Sequence, residues 1–200
     1  MQKHTDQTLS YYEKNAKAFY DNTRDVDFAS VQQLFTDLLP QEAKILDFGC
    51  GSGRDTVYFL SQGYDVDAID GSAELCRLAS EVAGIPVRQM YFQDLDVVDE
   101  YEGIWACASI LHVPKKELPQ IFLKMQQALK KDGVIYTSFK YGDGEGVRNG
   151  RYFSDYTEDT AKRMIEEIEG LQIEKMWTSS DRRPGREDEK WLNILLRKQI

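Results

Sequence analysis

Seven consecutive residues, Asp47-Phe48-Gly49-Cys50-Gly51-Ser52-Gly53, carry the strongest chemical signal in the chain. Glycines at alternate positions let the backbone turn sharply and come close to a ligand. The loop leads into a predicted helix, whose first amides favour negative charge, so a carboxylate or a phosphate suits that end. The spacing is G-x-G-x-G rather than the dinucleotide fingerprint G-x-G-x-x-G. Where the longer fingerprint needs its third glycine stands Arg54, whose bulk opposes the close helix–strand packing that glycine provides. Asp47 precedes the loop inside the strand. A carboxylate there repels a pyrophosphate and can accept a hydrogen bond from an ammonium group. An amino-acid-bearing nucleoside fits these features better than a dinucleotide.

Two more carboxylates fall at useful spacings. The segment from Tyr64 ends in Asp70, followed by Gly71. A carboxylate at a strand's carboxyl end, beside a glycine loop, can accept from both hydroxyls of a ribose. The competing reading is a helix cap supplied by Asp70 or Ser72. After the next strand comes Gln93-Asp94-Leu95. Asp94 is placed to accept from an adenine amine, with apolar neighbours on the ring; alternatively it is a plain loop carboxylate.

Candidates for a second substrate lie after later strands. His112 is either a general base or a brace for its loop. Lys140 and Tyr141 open a glycine-rich stretch, Gly142–Gly146, that reads as a mobile lid. Asp181-Arg182-Arg183-Pro184-Gly185-Arg186 sets three arginines in one turn, which suits an anion; the alternative is a solvated turn paired with Glu187, Asp188 and Glu189.

These residues need a frame. Apolar runs predict strands at about 44–48, 65–69, 86–91, 103–108, 133–139, 171–178 and 189–197. Helical periodicity is read between most of them, at about 54–62, 72–83, 115–130 and 157–168. Such alternation predicts a doubly wound, mostly parallel seven-stranded α/β sheet covered on both faces. The last two strands are too close for a parallel crossover and form an antiparallel hairpin. Helical stretches at 9–21 and 28–39 form an N-terminal cap. We therefore expect one domain over 1–200, with a helical cap over 1–40 and an α/β core over 41–200.

Composition narrows the function. No apolar run nears the ~20 residues that span a bilayer, and MQKHTDQTLS has no signal-peptide core, so the expectation is a cytoplasmic protein without a membrane partner. Net charge is −9, which disfavours nucleic acid as a default partner. Cys50, Cys76 and Cys107 are too scattered for a zinc or disulfide framework, and no acidic or histidine cluster has metal-ligand spacing. Oligomeric state cannot be read.

Taken together, Asp47-x-Gly49-x-Gly51-x-Gly53, Asp70, and Asp94 followed by Leu95 resemble the class I S-adenosylmethionine-dependent methyltransferases, which have a Rossmann-like fold. The resemblance covers roughly residues 9–197. A narrower resemblance is to small stand-alone enzymes of the tellurite-resistance type that act on small molecules. It implies S-adenosylmethionine as cofactor, with methionine over the glycine loop, ribose at Asp70 and Gly71, and adenine at Asp94 and Leu95. It also implies an N-terminal helix that closes over the cofactor, with Tyr12 or Tyr20 reaching the methionine carboxylate. The expected activity is methyl transfer to a small, anionic acceptor. The alternatives are a nicotinamide-dependent oxidoreductase and an adenosylmethionine-binding protein without catalysis.

Overall fold

Strand β1 (Lys44–Phe48) reads KILDF and buries its last four side chains, as a strand covered on both faces must. In the computed structural model, which describes residues 2–199, β1 lies inside a sheet. Its parallel neighbours are β2 (Asp65–Asp70) and β4 (Tyr101–Ala106). β3 (Val87–Gln89) continues the sheet beyond β2, and β5 (Leu129–Lys140) lies beside β4. The small strands β6 (Glu145–Arg148) and β7 (Arg151–Ser154) form a separate hairpin. β8 (Leu171–Ser180) and β9 (Lys190–Lys198) complete the large sheet in the order β3-β2-β1-β4-β5-β9-β8, with β9 antiparallel to both neighbours. The strand order reverses between β1 and β4, so a crevice opens at their carboxyl ends.

Helices α3 (Arg54–Ser61), α4 (Ala73–Ala83), α5 (Leu118–Ala128) and α6 (Glu158–Glu166) cover the sheet. Their ends have local causes. Ser72 Oγ accepts from the Leu75 amide at 3.2 Å and starts α4, which stops at Gly84 in left-handed backbone (φ 70°). Thr157 and Thr160 close a capping box on α6. Leu118, Ile121, Phe122 and Met125 form the buried stripe of α5. On the other face Trp105 stacks on Tyr136 at 4.0 Å, within a cluster that includes Phe35 and Phe59.

The N-terminal cap is α1 (Gln2–Thr23) and α2 (Ala29–Thr36). α1 packs on α4 and on β7; it is longer than the periodicity suggests, and Thr8 and Tyr11 meet β7 at Tyr152 and Arg151. The glycine-rich stretch is where expectation and structure part. It is not a free lid: Gly146 lies within β6, and the hairpin turns at Asn149 and Gly150 (φ 49° and 80°), the pair a type I′ turn demands. Three bonds tie it down. The Tyr152 amide donates to Thr8 Oγ1 (3.0 Å), Ser154 Oγ to the Val113 carbonyl (2.8 Å), and the Asp155 amide to the Gly144 carbonyl (2.9 Å). No helix among the described residues is long and apolar enough to cross a membrane.

Candidate active site

The glycine loop is clamped from below and from the side. The amides of Gly49 and Cys50 both donate to the Ile69 carbonyl at 2.9 Å. Gly49, Gly51 and Gly53 all have left-handed backbone (φ 88°, 56° and 77°). A Cβ on Gly49 would stand 2.5 Å from Ser109 Cβ, and one on Gly53 3.1 Å from Ala79 Cβ on α4. Gly53 thus provides the close packing expected of a third glycine. Arg54 turns away from it onto Asp55 and the Phe28 ring.

Asp70 ends β2 and engages the loop. One carboxylate oxygen accepts from the Gly51 amide and the other from the Ser72 amide, each at 2.9 Å. Burial raises its pKa, and these amides oppose the rise. The helix cap is Ser72, so Asp70 keeps lone pairs for a ligand; it lines a narrow cleft together with Gly71. Asp47 does not reach that cleft. It is 2% exposed and accepts from Thr56 Oγ1 at 2.6 Å. Burial, and then the charge of Asp55, raises its pKa. Its observed contact braces the first turn of α3 rather than facing an ammonium.

The far wall of the cleft is Met90, Tyr91, Phe92 and Gln93. Asp94, expected there, is exposed and off the wall, and Leu95 is 3% exposed in the core. The cause is a single 3-10 turn, Phe92–Asp94. It brings Phe92 against Phe48 at 4.7 Å between ring centroids and leaves Asp94 on the outside. The roof is α1, through Leu9, Tyr12 and Phe19. Tyr20 is not part of it: it packs beside Leu75 and Leu78, with the Arg24 guanidinium 5.4 Å from its ring. Helix geometry separates them. Phe19 is seven residues from Tyr12 and falls within about 20° of it around the axis, whereas Tyr20 is rotated by about 80°.

His112 sits in the short turn after β4, between the rings of Tyr12 (5.5 Å) and Phe153 (4.9 Å). Its Nδ1 is 2.6 Å from the Tyr152 carbonyl and its Nε2 is 2.8 Å from the Tyr12 hydroxyl. A carbonyl only accepts, so Nδ1 carries the hydrogen, and Nε2 accepts from Tyr12. Burial lowers the pKa of His112 to about 4 and raises that of Tyr12. Both nitrogens are engaged and the ring is neutral, which makes His112 a brace in this structure rather than a poised base.

Beyond Tyr12, Phe19, Gly49, Gly51, Ala108 and His112, which line both spaces, opens a larger cavity of about 610 Å³, a size that holds a small ligand. Among the described residues, eight of its lining side chains are cationic and five anionic, in a protein of net charge −9. The local field is therefore opposite to the global one. The expected cations are at the rim, because β8 runs parallel to β5 and delivers the turn there, but most have partners. Arg183 forks onto the Asp181 carboxylate, Arg186 lies 3.6 Å from Glu189, and Lys140 sits between Asp181 and Glu189, 4.0 Å over the Trp191 ring. Arg182 donates to the Asp27 carbonyl and Ser30 Oγ. Tyr141 is 40% exposed on the cavity lining.

Two site features were missed in the sequence. Phe92 had no signal beyond apolarity. Arg151 had one: the Asn149-Gly150 dipeptide between two alternating runs is a hairpin signature, and it places Arg151 first in β7, on the larger cavity.

Residues 45–133 match the profile of a family described as a methyltransferase domain. An uncharacterized methyltransferase of Staphylococcus carnosus is 25% identical over 169 residues, spanning 80% of this chain and 81% of that one. One of Bacillus cytotoxicus is 26% identical over 140 residues, spanning 68% of this chain and 63% of its own length. In structure the chain is similar to 1,6-didemethyltoxoflavin-N1-methyltransferase of Burkholderia thailandensis, solved with 1,6-didemethyltoxoflavin and S-adenosylhomocysteine. The TM-score is 0.78 at 22% identity, covering 98% of this chain and 89% of that one.

Proposed function

We propose that the chain is a class I S-adenosylmethionine-dependent methyltransferase whose narrow cleft takes the cofactor and whose larger cavity takes a small, anionic methyl acceptor. The observation that carries this reading is the shared wall: the same six residues line both spaces. Donor and acceptor thus meet within one enclosure, as an in-line transfer requires.

The cleft fits the cofactor on its own terms. Asp70 stands at one end with two of its roughly four acceptor sites used by amides, leaving room for both ribose hydroxyls. Phe92, Met90 and Tyr91 offer an apolar wall to an adenine, and Gln93 offers it a polar edge. The backbone of Gly49 and Gly51 leaves space for the methionine portion beneath Tyr12 and Phe19. Bound there, S-adenosylmethionine supplies an electrophilic methyl group. The chain contributes alignment and exclusion of water, with α1 as the roof. Since His112 is neutral with both nitrogens occupied, the acceptor atom brings its own lone pair, as an amine, a ring nitrogen or an anionic oxygen or sulfur does.

Support for an anionic acceptor is the excess of cations around the cavity, and support for a small one is its volume. The toxoflavin enzyme, solved with its methyl acceptor, is a precedent for that size. The test is a screen of small carboxylates, phosphates, amines and nitrogen heterocycles, including metalloid oxyanions, read by formation of S-adenosylhomocysteine. Turnover on neutral compounds alone overturns the anionic part of the reading; no turnover on any acceptor, with cofactor bound, favours a binding protein without catalysis.

A further inference from the structure

We propose that Arg151 binds the anionic group of the methyl acceptor, a carboxylate or phosphate, and so determines which acceptors the enzyme takes. The inference rests on the assignment of the larger cavity to the acceptor. It begins from a contrast across one hairpin. Arg148 and Arg151 face each other in register, yet Arg148 forks onto the Asp155 carboxylate, while Arg151 has no carboxylate within ion-pair distance among the described residues. Among the described residues the only polar contact of its guanidinium is Nη1 to the Tyr12 hydroxyl at 3.4 Å. Its Nε is buried without a partner among the described residues.

A buried donor with nothing to donate to is costly, and native structures keep few of them. Here the surrounding rings hold the group without neutralising it. The guanidinium lies 4.6 Å from the Tyr11 ring centroid and 5.1 Å from that of Phe153. Such packing fixes the plane of the fork and leaves its charge available, the arrangement that suits a planar carboxylate or a phosphate. The frame is equally fixed. Next to Arg151, the Tyr152 amide is held by Thr8 and the Tyr152 carbonyl by His112, and the turn before it is a type I′ pair. The cation is therefore preorganised, which lowers the entropy lost on binding.

The other cations expected to meet an anion are engaged elsewhere. Arg183, Arg186 and Lys140 have carboxylate partners, and Arg182 is spent on α2 and the segment before it. Position separates the two possible sources of an anion, the acceptor and the cofactor's own carboxylate. Arg151 lines the larger cavity and not the narrow cleft, whereas its neighbour Tyr12 lines both. An anion on Arg151 is thus on the acceptor side of Tyr12.

The experiment uses the full chain saturated with S-adenosylhomocysteine. Benzoate and inorganic phosphate are titrated as probes, with benzamide as the neutral counterpart, and Tm and tryptophan fluorescence are read. We expect at least one of the two anions to raise Tm in a saturable way and benzamide to do nothing. Arg151→Met keeps the stem that packs on the rings; it should abolish the response while leaving the Kd for S-adenosylhomocysteine within about twofold. Arg151→Lys, which keeps the charge and loses the fork, should retain a weakened response; it also carries the test if Arg151→Met does not fold. Three results overturn the proposal: no response of the wild-type complex to either anion, a response that survives Arg151→Met, or selective weakening of S-adenosylhomocysteine in Arg151→Met with methylthioadenosine, which lacks the carboxylate, unaffected. The last assigns Arg151 to the cofactor. Failure of S-adenosylhomocysteine to bind the wild type is read first and overturns the cleft assignment instead.

Discussion

The Tyr12 hydroxyl donates to Nε2 of His112 across 2.8 Å, joining residues a hundred positions apart in the chain. With Nδ1 of the same ring on the Tyr152 carbonyl, this bond ties three segments together: α1, the turn after β4 and the β6–β7 hairpin. The roof of the narrow cleft is thereby fastened to the wall it shares with the larger cavity.

Removing the bond should loosen the roof. Tyr12→Phe leaves Nε2 of His112 without its donor and Arg151 without its contact to the hydroxyl. We expect a loss of about 1–3 kcal/mol in stability and weaker binding of S-adenosylhomocysteine, by about three- to tenfold. Denaturant melts and calorimetry check this. An unchanged Tm together with an unchanged Kd means the bond does nothing for the roof.

The pH dependence of stability should carry the signature of His112. Its pKa is lowered to about 4 in the fold, against about 6.5 in an unfolded chain. Between these values the unfolded chain binds a proton that the native one does not, so stability is complete above pH 6.5 and falls as the pH drops towards 4. The lost contribution is on the order of 3 kcal/mol. His112→Asn should flatten that part of the profile relative to wild type, as read by urea titrations between pH 4 and 7. A variant whose profile parallels wild type refutes the assignment.

Asp70→Ala removes a group that accepts two amides and, in our reading, two ribose hydroxyls. Cofactor affinity should fall by about 1.5–3 kcal/mol, the worth of hydrogen bonds to a charged partner, measured by calorimetry with S-adenosylhomocysteine. The free protein should also melt lower, because the Gly51 and Ser72 amides lose their acceptor. A lower Tm with unchanged affinity reduces Asp70 to a brace of the loop.

Gly49→Ala should be the most damaging single change in the loop. It combines left-handed backbone at φ 88° with a Cβ 2.5 Å from that of Ser109, and Ser109 is itself held by its hydroxyl on the Phe48 carbonyl. We expect destabilisation of more than about 2 kcal/mol and no detectable S-adenosylhomocysteine binding. A well-folded variant with normal affinity contradicts the clamped geometry.

The arginine turn should behave as structure. Arg183→Ala takes the partner from Asp181, whose side chain is 4% exposed and whose pKa the fork of Arg183 holds below the usual carboxylate range despite burial. The expected result is a lower Tm at neutral pH, with benzoate or phosphate still sensed by the S-adenosylhomocysteine complex. The contribution of Asp181 is present above its unfolded pKa of about 3.9 and is lost as the pH falls through the lower folded value. Loss of anion binding with Tm preserved assigns the acceptor's charge to the turn and not to Arg151.

Sequence alone determined the framework. Alternating apolar runs and helical stripes specify a parallel sheet, and the short link before β9 specifies the antiparallel end, because these are local and periodic constraints. The glycine loop and Asp70 were legible for the same reason: left-handed backbone and a strand-end carboxylate leave a mark at fixed spacing. The cleft's far wall was less so. Asp94 and Phe92 are two positions apart, and only one 3-10 turn, rotating by about 120° per residue, decides which faces inward.

Which charged and aromatic groups stay free for a ligand was decided by tertiary structure. Arg151 and Arg183 look alike in the sequence. Asp181, two residues before Arg183, neutralises it, whereas Arg151 is left to the rings of Tyr11 and Phe153. His112 reads equally as a base or as a brace until a tyrosine a hundred residues earlier and a hairpin carbonyl forty residues later occupy both its nitrogens. Even a partner two residues away, such as Asp181, is reached only through the conformation the fold gives its turn, and desolvation depends on what covers a group. Neither has a period along the chain, so neither could be read there.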